Sequence, residues 1–203
     1  MSVKTASHGR IDKRQAILAA AFTVFARQGY SQACVQEIAQ EAGVAKPTVY
    51  NHLNDKENLF REAMTEASAE LTGALLAAVE PLRDPGDDLR AALVAVGDRL
   101  LELYCEERSW ALRRLLYAEV ARFPELGCGV DKLTEALADR FARFSLQGKL
   151  DVQEPEVAAE QFLALLTGPM DNRTAFGTRP APAAELHSVA ESAVRTFLSA
   201  FAS

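Results

Sequence analysis

Apolar residues recur along this chain at helical spacings, and the two-residue alternation of a half-buried strand is missing. Ile17, Ala20, Ala21, Val24 and Phe25 form an i, i+3, i+4, i+7, i+8 stripe. Similar stripes follow at Leu89, Leu93, Val96, Leu100 and Leu103, at Val130, Leu133, Leu137, Phe141 and Phe144, and at Leu186, Val189, Ala190, Val194, Phe197 and Phe201. Glycine and proline fall between the stripes as punctuation, with Pro169 marking the end of the eighth helical segment. The pattern predicts about nine helices, over roughly 11–28, 35–41, 46–52, 56–80, 88–106, 109–121, 129–147, 155–170 and 183–201. Gly29 is placed to end the first as a C′ residue, and Asn54 or Asp55 to cap the fourth. At 1.5 Å per residue that fourth helix is roughly 37 Å long, enough to serve two parts of the fold. The fold class is all-α.

The chain has 203 residues, 49% of them apolar, which suits one large helical domain or a small one joined to a medium one. The net charge of −6 is unevenly spread: residues 1–60 carry +2 and residues 61–203 carry −8. A small DNA-reading head on a larger acidic body fits that asymmetry. No run of about 18 uncharged apolar residues exists, so no membrane helix is expected. The polar, basic start has no apolar core of a secretory signal. Three cysteines without a C-x-x-C pair, and three scattered histidines, point to a reducing cytoplasm and no structural metal. Neither G-x-S-x-G, a Gly-rich phosphate loop nor H-E-x-x-H occurs, so an enzyme is not expected, and no cofactor.

The stretch from Val35 to His52 carries the chemistry. Two short helices held at a steep angle by a tight turn make a helix-turn-helix. Ala39 supplies the small residue where the helices touch, and Gly43 tolerates positive φ in the turn. Ile38, Val44 and Val49 are spaced to lock the second helix down. Pro47 suits the first turn of that helix, where an N–H has no partner. The side chains left facing outward are Lys46, Pro47, Thr48, Tyr50, Asn51 and His52, with Lys56 at the start of the next helix. Lys, Tyr and His bond phosphate oxygens, Thr meets a base edge or thymine methyl, and Pro47 offers an apolar contact. His52 is either a phosphate donor or a polar helix end.

These residues resemble the TetR family of repressors. The likeness runs from Arg14 to Phe60 through Ile17-Leu18-x-Ala20-Ala21, Phe25, Gly29-Tyr30, Val35, Ile38-Ala39, Ala42-Gly43-Val44, Thr48-Val49-Tyr50-x-His52-Leu53 and Lys56-Glu57-x-Leu59-Phe60. Further on, Tyr117 to Leu126 and Ala159 to Leu163 followed by Gly168 resemble the AefR-like subgroup. The resemblance implies a three-helix DNA-binding head at 1–55, a ligand-binding and dimerisation domain at 56–203, and homodimers. Two departures stand out. Ala33-Cys34 replaces the family's usual Thr or Ser before the second helix, leaving Ser31, Gln32 or Gln36 to supply the cap or phosphate contact, and Leu53 replaces the common Phe. In this family context Arg10, Lys13 and Arg14 approach phosphate as an N-terminal arm.

In the body, Trp110, Arg113, Tyr117, Phe144, Phe162 and Asn172 are candidates to line an inducer pocket, since apolar cavities between bundle helices are common ligand sites; for any single aromatic, plain core is the favoured reading. Leu163, Leu166, Val189, Ala193 and Phe197 are read as the exposed face of a four-helix dimer interface made by the last two helices. Cys128 has no basic or cysteine neighbour that makes it a redox switch. The expected partners are operator DNA, a small-molecule inducer, and a second copy of the chain, with no membrane. A dimer spaces its half-sites about 34–36 Å apart on a near-palindromic operator. Inducer binding is then expected to shift the long 56–80 helix and change the spacing between the heads. An activator, or a helical adaptor without DNA binding, remains the alternative.

Overall fold

The computed structural model describes residues 4–127 and 129–201, with side chains described from residue 13. The Arg10 side chain and Cys128 lie outside the described residues. Among these the chain forms nine α-helices: α1 (Lys4–Gln32), α2 (Val35–Glu41), α3 (Lys46–Leu53), α4 (Lys56–Val79), α5 (Leu89–Cys105), α6 (Glu107–Glu119), α7 (Val130–Leu146), α8 (Pro155–Arg173) and α9 (Ala183–Phe201), with a 3-10 turn at Glu80–Arg83. Helical geometry breaks at Gly29, whose φ of 76° and ψ of 167° end the long run of α1 where the expected C′ residue stands. Asp88 caps α5 by accepting from the Ala91 N–H, and Asp55 caps α4 by accepting from the Asn58 N–H.

Packing divides the chain into two compact units, Met1–Glu70 with Ala111–Cys128, and Leu71–Trp110 with Gly129–Ser203. The first is thus discontinuous, and it differs from a cut at residue 55. It includes the first half of α4, most of α6 and the turn that follows. Its centre is built from Ile17, Ala21, Val24 and Phe25 of α1, Ile38 and Ala39 of α2, Val49 and Leu53 of α3, and Leu59 and Phe60 of α4, each at most 1% exposed.

The second unit packs α5 against α9 and α7 against α8. Its core contains Leu93, Leu101, Leu137, Phe141, Phe144, Phe162, Leu166, Ala190, Val194 and Phe197. Gly97 lets α5 and α9 approach: a Cβ there would stand 3.2 Å from both the Ala190 Cβ and a Leu166 methyl. The Tyr104 hydroxyl donates to the Asp171 carboxylate at 2.6 Å and joins α5 to α8. His187 on α9 meets Asp98 on α5 at 2.9 Å.

Two expectations are corrected here. Pro169, read as the end of a helix, lies inside α8. A proline there removes one backbone bond, yet the helix continues because Phe162, Leu166 and Met170 are fully buried along one face and Thr174 bonds back to the Met170 carbonyl through both its N–H and its hydroxyl. Leu166, Val189, Ala193 and Phe197, read as an exposed face, are buried within this one chain, and Leu163 is half-buried. A 3.6-residue stripe is the same whether it faces its own bundle or a second copy. What α8 exposes instead is Val157, Gln161, Ala164 and Gly168, and α9 exposes Ser188, Ser192, Arg195 and Thr196.

Candidate nucleic-acid interface

The helix-turn-helix forms because a short apolar set pins two short helices. The turn starts with the Ala42 N–H bonded to the Ile38 carbonyl and the Val44 N–H bonded to the Ala39 carbonyl at 2.9 Å. Gly43 takes φ 63° between them, with open space where a Cβ would stand. On α3, Val49 and Leu53 are 1% exposed. They hold one face of α3 down and force the other outward. Lys46, Pro47, Tyr50 and Asn51 are exposed, and Thr48 and His52 are half-buried. Gln36 is exposed on α2. The Lys46 ammonium lies 5.9 Å from the Tyr50 ring centroid, a cation–π approach one turn apart. Six of the eight expected reading residues thus lie on α3, four of them exposed, with Gln36 on α2 and Lys56 at the start of α4.

The departure at Ala33-Cys34 has a structural counterpart: Cys34 opens α2 with no side-chain cap, and Ala45 opens α3 likewise. Ala33 is buried. In compensation, α2 is tied to α1 from its side. Glu37 accepts from the Gln28 amide at 2.7 Å and from Arg27 at 2.6 Å. The Gln28 hydrogen bond, then Arg27, holds the Glu37 carboxyl below the usual carboxylate range. Lys56, expected as a phosphate contact, has its ammonium on the Ser31 carbonyl at 3.2 Å and 4.7 Å from the Tyr30 ring centroid.

A group that sequence reasoning did not join to the head completes its core. Tyr30 and Phe60, which also meet Phe25, pack against Phe123, which follows α6 and is 1% exposed; the Phe123 ring centroid is 4.8 Å from that of Phe60 and 5.3 Å, edge-on, from that of Tyr30. Arg122 donates to Glu57 at 2.5 Å and Arg61 to Glu125 at 2.8 Å. Burial pushes the Tyr30 phenol above its usual range, although Arg122 pulls it down. The only local hint was an aromatic placed directly before Pro124 in a polar turn.

The expected pocket residues differ in their burial. Phe144 and Phe162 are packed in the core of the second unit. Trp110 is 5% exposed with its ring edge-on to Tyr104. Tyr117 is 76% exposed, Asn172 is exposed, and Arg113 is buried. A cavity of about 360 Å³ in the second unit is lined by Ala74, Ala77, Ala78, Pro81, Ala92, Ala95, Val96 and Arg99, none of them among the six. Among the described residues no cluster of three His, Cys, Asp or Glu is arranged to hold a metal, and no helix is long and apolar enough to cross a membrane.

Known proteins match both ends of the chain. Residues 17–63 match the bacterial regulatory proteins of the tetR family. Residues 91–203 match the C-terminal domain of AefR-like transcriptional repressors. The chain is 29% identical to the HTH-type transcriptional activator FasR of Mycolicibacterium smegmatis, over 77% of this chain and 69% of that one. It is 29% identical to the HTH-type transcriptional repressor BepR of Brucella suis, over 73% and 70%. A TetR-family transcriptional regulator from Mesorhizobium loti superposes with a TM-score of 0.88 at 28% identity, over 96% of this chain and 98% of that one.

Proposed function

This chain belongs to the TetR family of DNA-binding transcription regulators, which are not enzymes, and from that premise we propose that it is a cytoplasmic repressor that binds a near-palindromic operator as a homodimer and is released by a small-molecule inducer. The observation that carries the reading is the two-sidedness of α3. Val49 and Leu53 are buried while Lys46, Pro47, Tyr50 and Asn51 stay open to solvent. Lys46, Tyr50 and His52 supply phosphate donors, Thr48 and Asn51 meet base edges, Pro47 makes an apolar contact, and Gln36 adds a contact from α2. Lys56 reaches phosphate by leaving Tyr30. Residues 1–55 read DNA, and residues 56–203 bind inducer and dimerise through α8 and α9. The faces of those helices left open, with Val157, Ala164, Gly168, Ser188 and Ser192, suit close helix contact. Inducer and operator affinities are then reciprocally coupled, typically by about 1–3 kcal/mol. The candidate inducer-binding residues are Trp110, Arg113, Tyr117, Phe144, Phe162 and Asn172.

The test is a fluorescence-anisotropy titration of the purified protein against duplex DNA from upstream of its own gene, at two salt concentrations and with scrambled competitor. Tight, competitor-resistant binding that Tyr50→Ala abolishes in a folded protein is the expected result. Binding no better than to scrambled DNA overturns it. An activator is the second reading, favoured by the likeness to FasR, and reporter output of the opposite sign selects it.

A further inference from the structure

Arg122, Phe123 and Glu125 form a clasp on the start of α4. The turn leaves α6 with the Arg122 and Phe123 N–H groups both bonded to the Glu119 carbonyl at 2.9 Å. Arg122 pairs with Glu57, Glu57 approaches Arg61 at 3.8 Å, and Arg61 pairs with Glu125. Two residues one turn apart on α4 thus meet two residues three apart on the turn, with charges alternating along the row Arg122, Glu57, Arg61, Glu125. Phe123 lies beneath it. The Arg61 guanidinium carbon is 5.0 Å from the Phe123 ring centroid, and that of Arg122 is 4.5 Å from the Tyr30 ring centroid. The clasp lies outside the helix-turn-helix and beyond the residues 17–63 that match the DNA-binding family.

Its reach extends to the reading helix. The same first turns of α4 that carry Glu57, Phe60 and Arg61 also hold the end of α3. The Asn58 side-chain amide donates to the Leu53 carbonyl at 3.2 Å, and Asp55 caps the helix between them. Tyr30, gripped by Arg122 and Phe123, is in turn the seat of the Lys56 ammonium. We propose that Arg122, Phe123 and Glu125 are positioning residues for DNA reading: they touch no DNA, and they set the angle and rigidity of α3 through the start of α4. This rests on the operator-binding reading above, but half of its test does not need DNA.

The test uses the full-length protein and the charge swap Arg122→Glu, Glu57→Arg and the double variant, with Phe123→Leu as a milder packing change. Amide hydrogen exchange of the free protein is followed over residues 46–53, with residues 130–146 as the internal control. Operator affinity is measured at two salt concentrations. Each single charge variant speeds exchange over 46–53 and weakens operator affinity by about tenfold, a coupling of the size neighbouring charges commonly show. The double swap restores most of both. The salt slope stays at the wild-type value, whereas losing a phosphate contact lowers it by about one. Phe123→Leu shifts exchange in the same direction by a smaller factor, while 130–146 is unchanged. Wild-type exchange over 46–53 in all single variants overturns the inference, as does a salt slope lowered by about one in Arg122→Glu, which would make Arg122 a phosphate contact. A double swap that fails to restore exchange overturns it too. If the wild-type protein binds no operator, the repressor reading fails by itself and exchange still decides whether the clasp positions α3.

Discussion

Gly43→Ala isolates the conformational demand of the helix-turn-helix. Gly43 sits at φ 63° in an exposed turn, and an added Cβ meets nothing within 4 Å. Packing therefore contributes nothing to the penalty, and the backbone contributes all of it. An L-residue in the left-handed region costs about 1–2 kcal/mol. Losing unfolded-chain freedom on replacing glycine returns part of that, leaving about 1 kcal/mol of net destabilisation. In a chain of this size 1 kcal/mol lowers the melting temperature by roughly 2–4 °C. Gly43→Asn is the control, because asparagine visits the left-handed region far more readily than alanine. Thermal unfolding followed by far-ultraviolet circular dichroism, with hydrogen exchange over 35–53 to localise the effect, reads both variants. Alanine should lower the midpoint by a few degrees and asparagine by clearly less. Equal losses in the two, or none in either, would refute the argument from φ.

Gly97→Val has the opposite cause: its side chain must enter the 3.2 Å gap against Ala190 and Leu166, so overpacking should destabilise the second unit by about 1–3 kcal/mol, and an unchanged urea midpoint would contradict it. Tyr104→Phe removes a 2.6 Å bond to a carboxylate and should destabilise by about 1.5–3 kcal/mol, read in the same urea experiment. The His187 imidazole is held above its ordinary range by the hydrogen bond it donates to Asp98, then by the charges of Asp98 and Glu191. The pairing contributes stability that is complete below the unfolded-state value near 6.5 and is lost as pH rises through the higher folded value. A nuclear magnetic resonance titration should place the His187 midpoint above that of a free histidine, and Asp98→Asn should bring it down; a wild-type midpoint at or below the free value sinks the assignment.

Residues that answer to their sequence neighbours were readable in advance. The bounds of α2, α3, α4 and α9 follow from periodicity, from Gly43 and from Asp55, all of which act within a turn or two. The outward side of α3 was equally legible, because burying Val49 and Leu53 leaves Lys46, Tyr50 and Asn51 no other direction. What escaped depends on distant partners. Nothing in the sequence around Arg122 and Glu125 shows that Glu57 and Arg61 stand opposite them. A helix-face residue carries no mark of which neighbour it will meet, and Phe144 and Phe162, readable as core or as pocket lining, are packed in the core. Phe197 and Val189 were taken as a surface for the same reason. Pro169 read as a stop because the local penalty of proline is legible, whereas the burial of Phe162, Leu166 and Met170 that outweighs it is not.

The discontinuity of the first unit also sets an order of events during synthesis. Arg122 and Glu57 are 65 residues apart in the chain. At about 5–20 residues per second, roughly 3–13 s separate the emergence of α4 from that of the segment that fastens it. Through that interval a nascent chain already carries every residue of α3, yet Phe60 and Tyr30 still lack the Phe123 ring that covers them. The first unit closes only when more than half of the polypeptide has been made, so a chain cut short before residue 123 lacks the ring that packs on Tyr30 and Phe60.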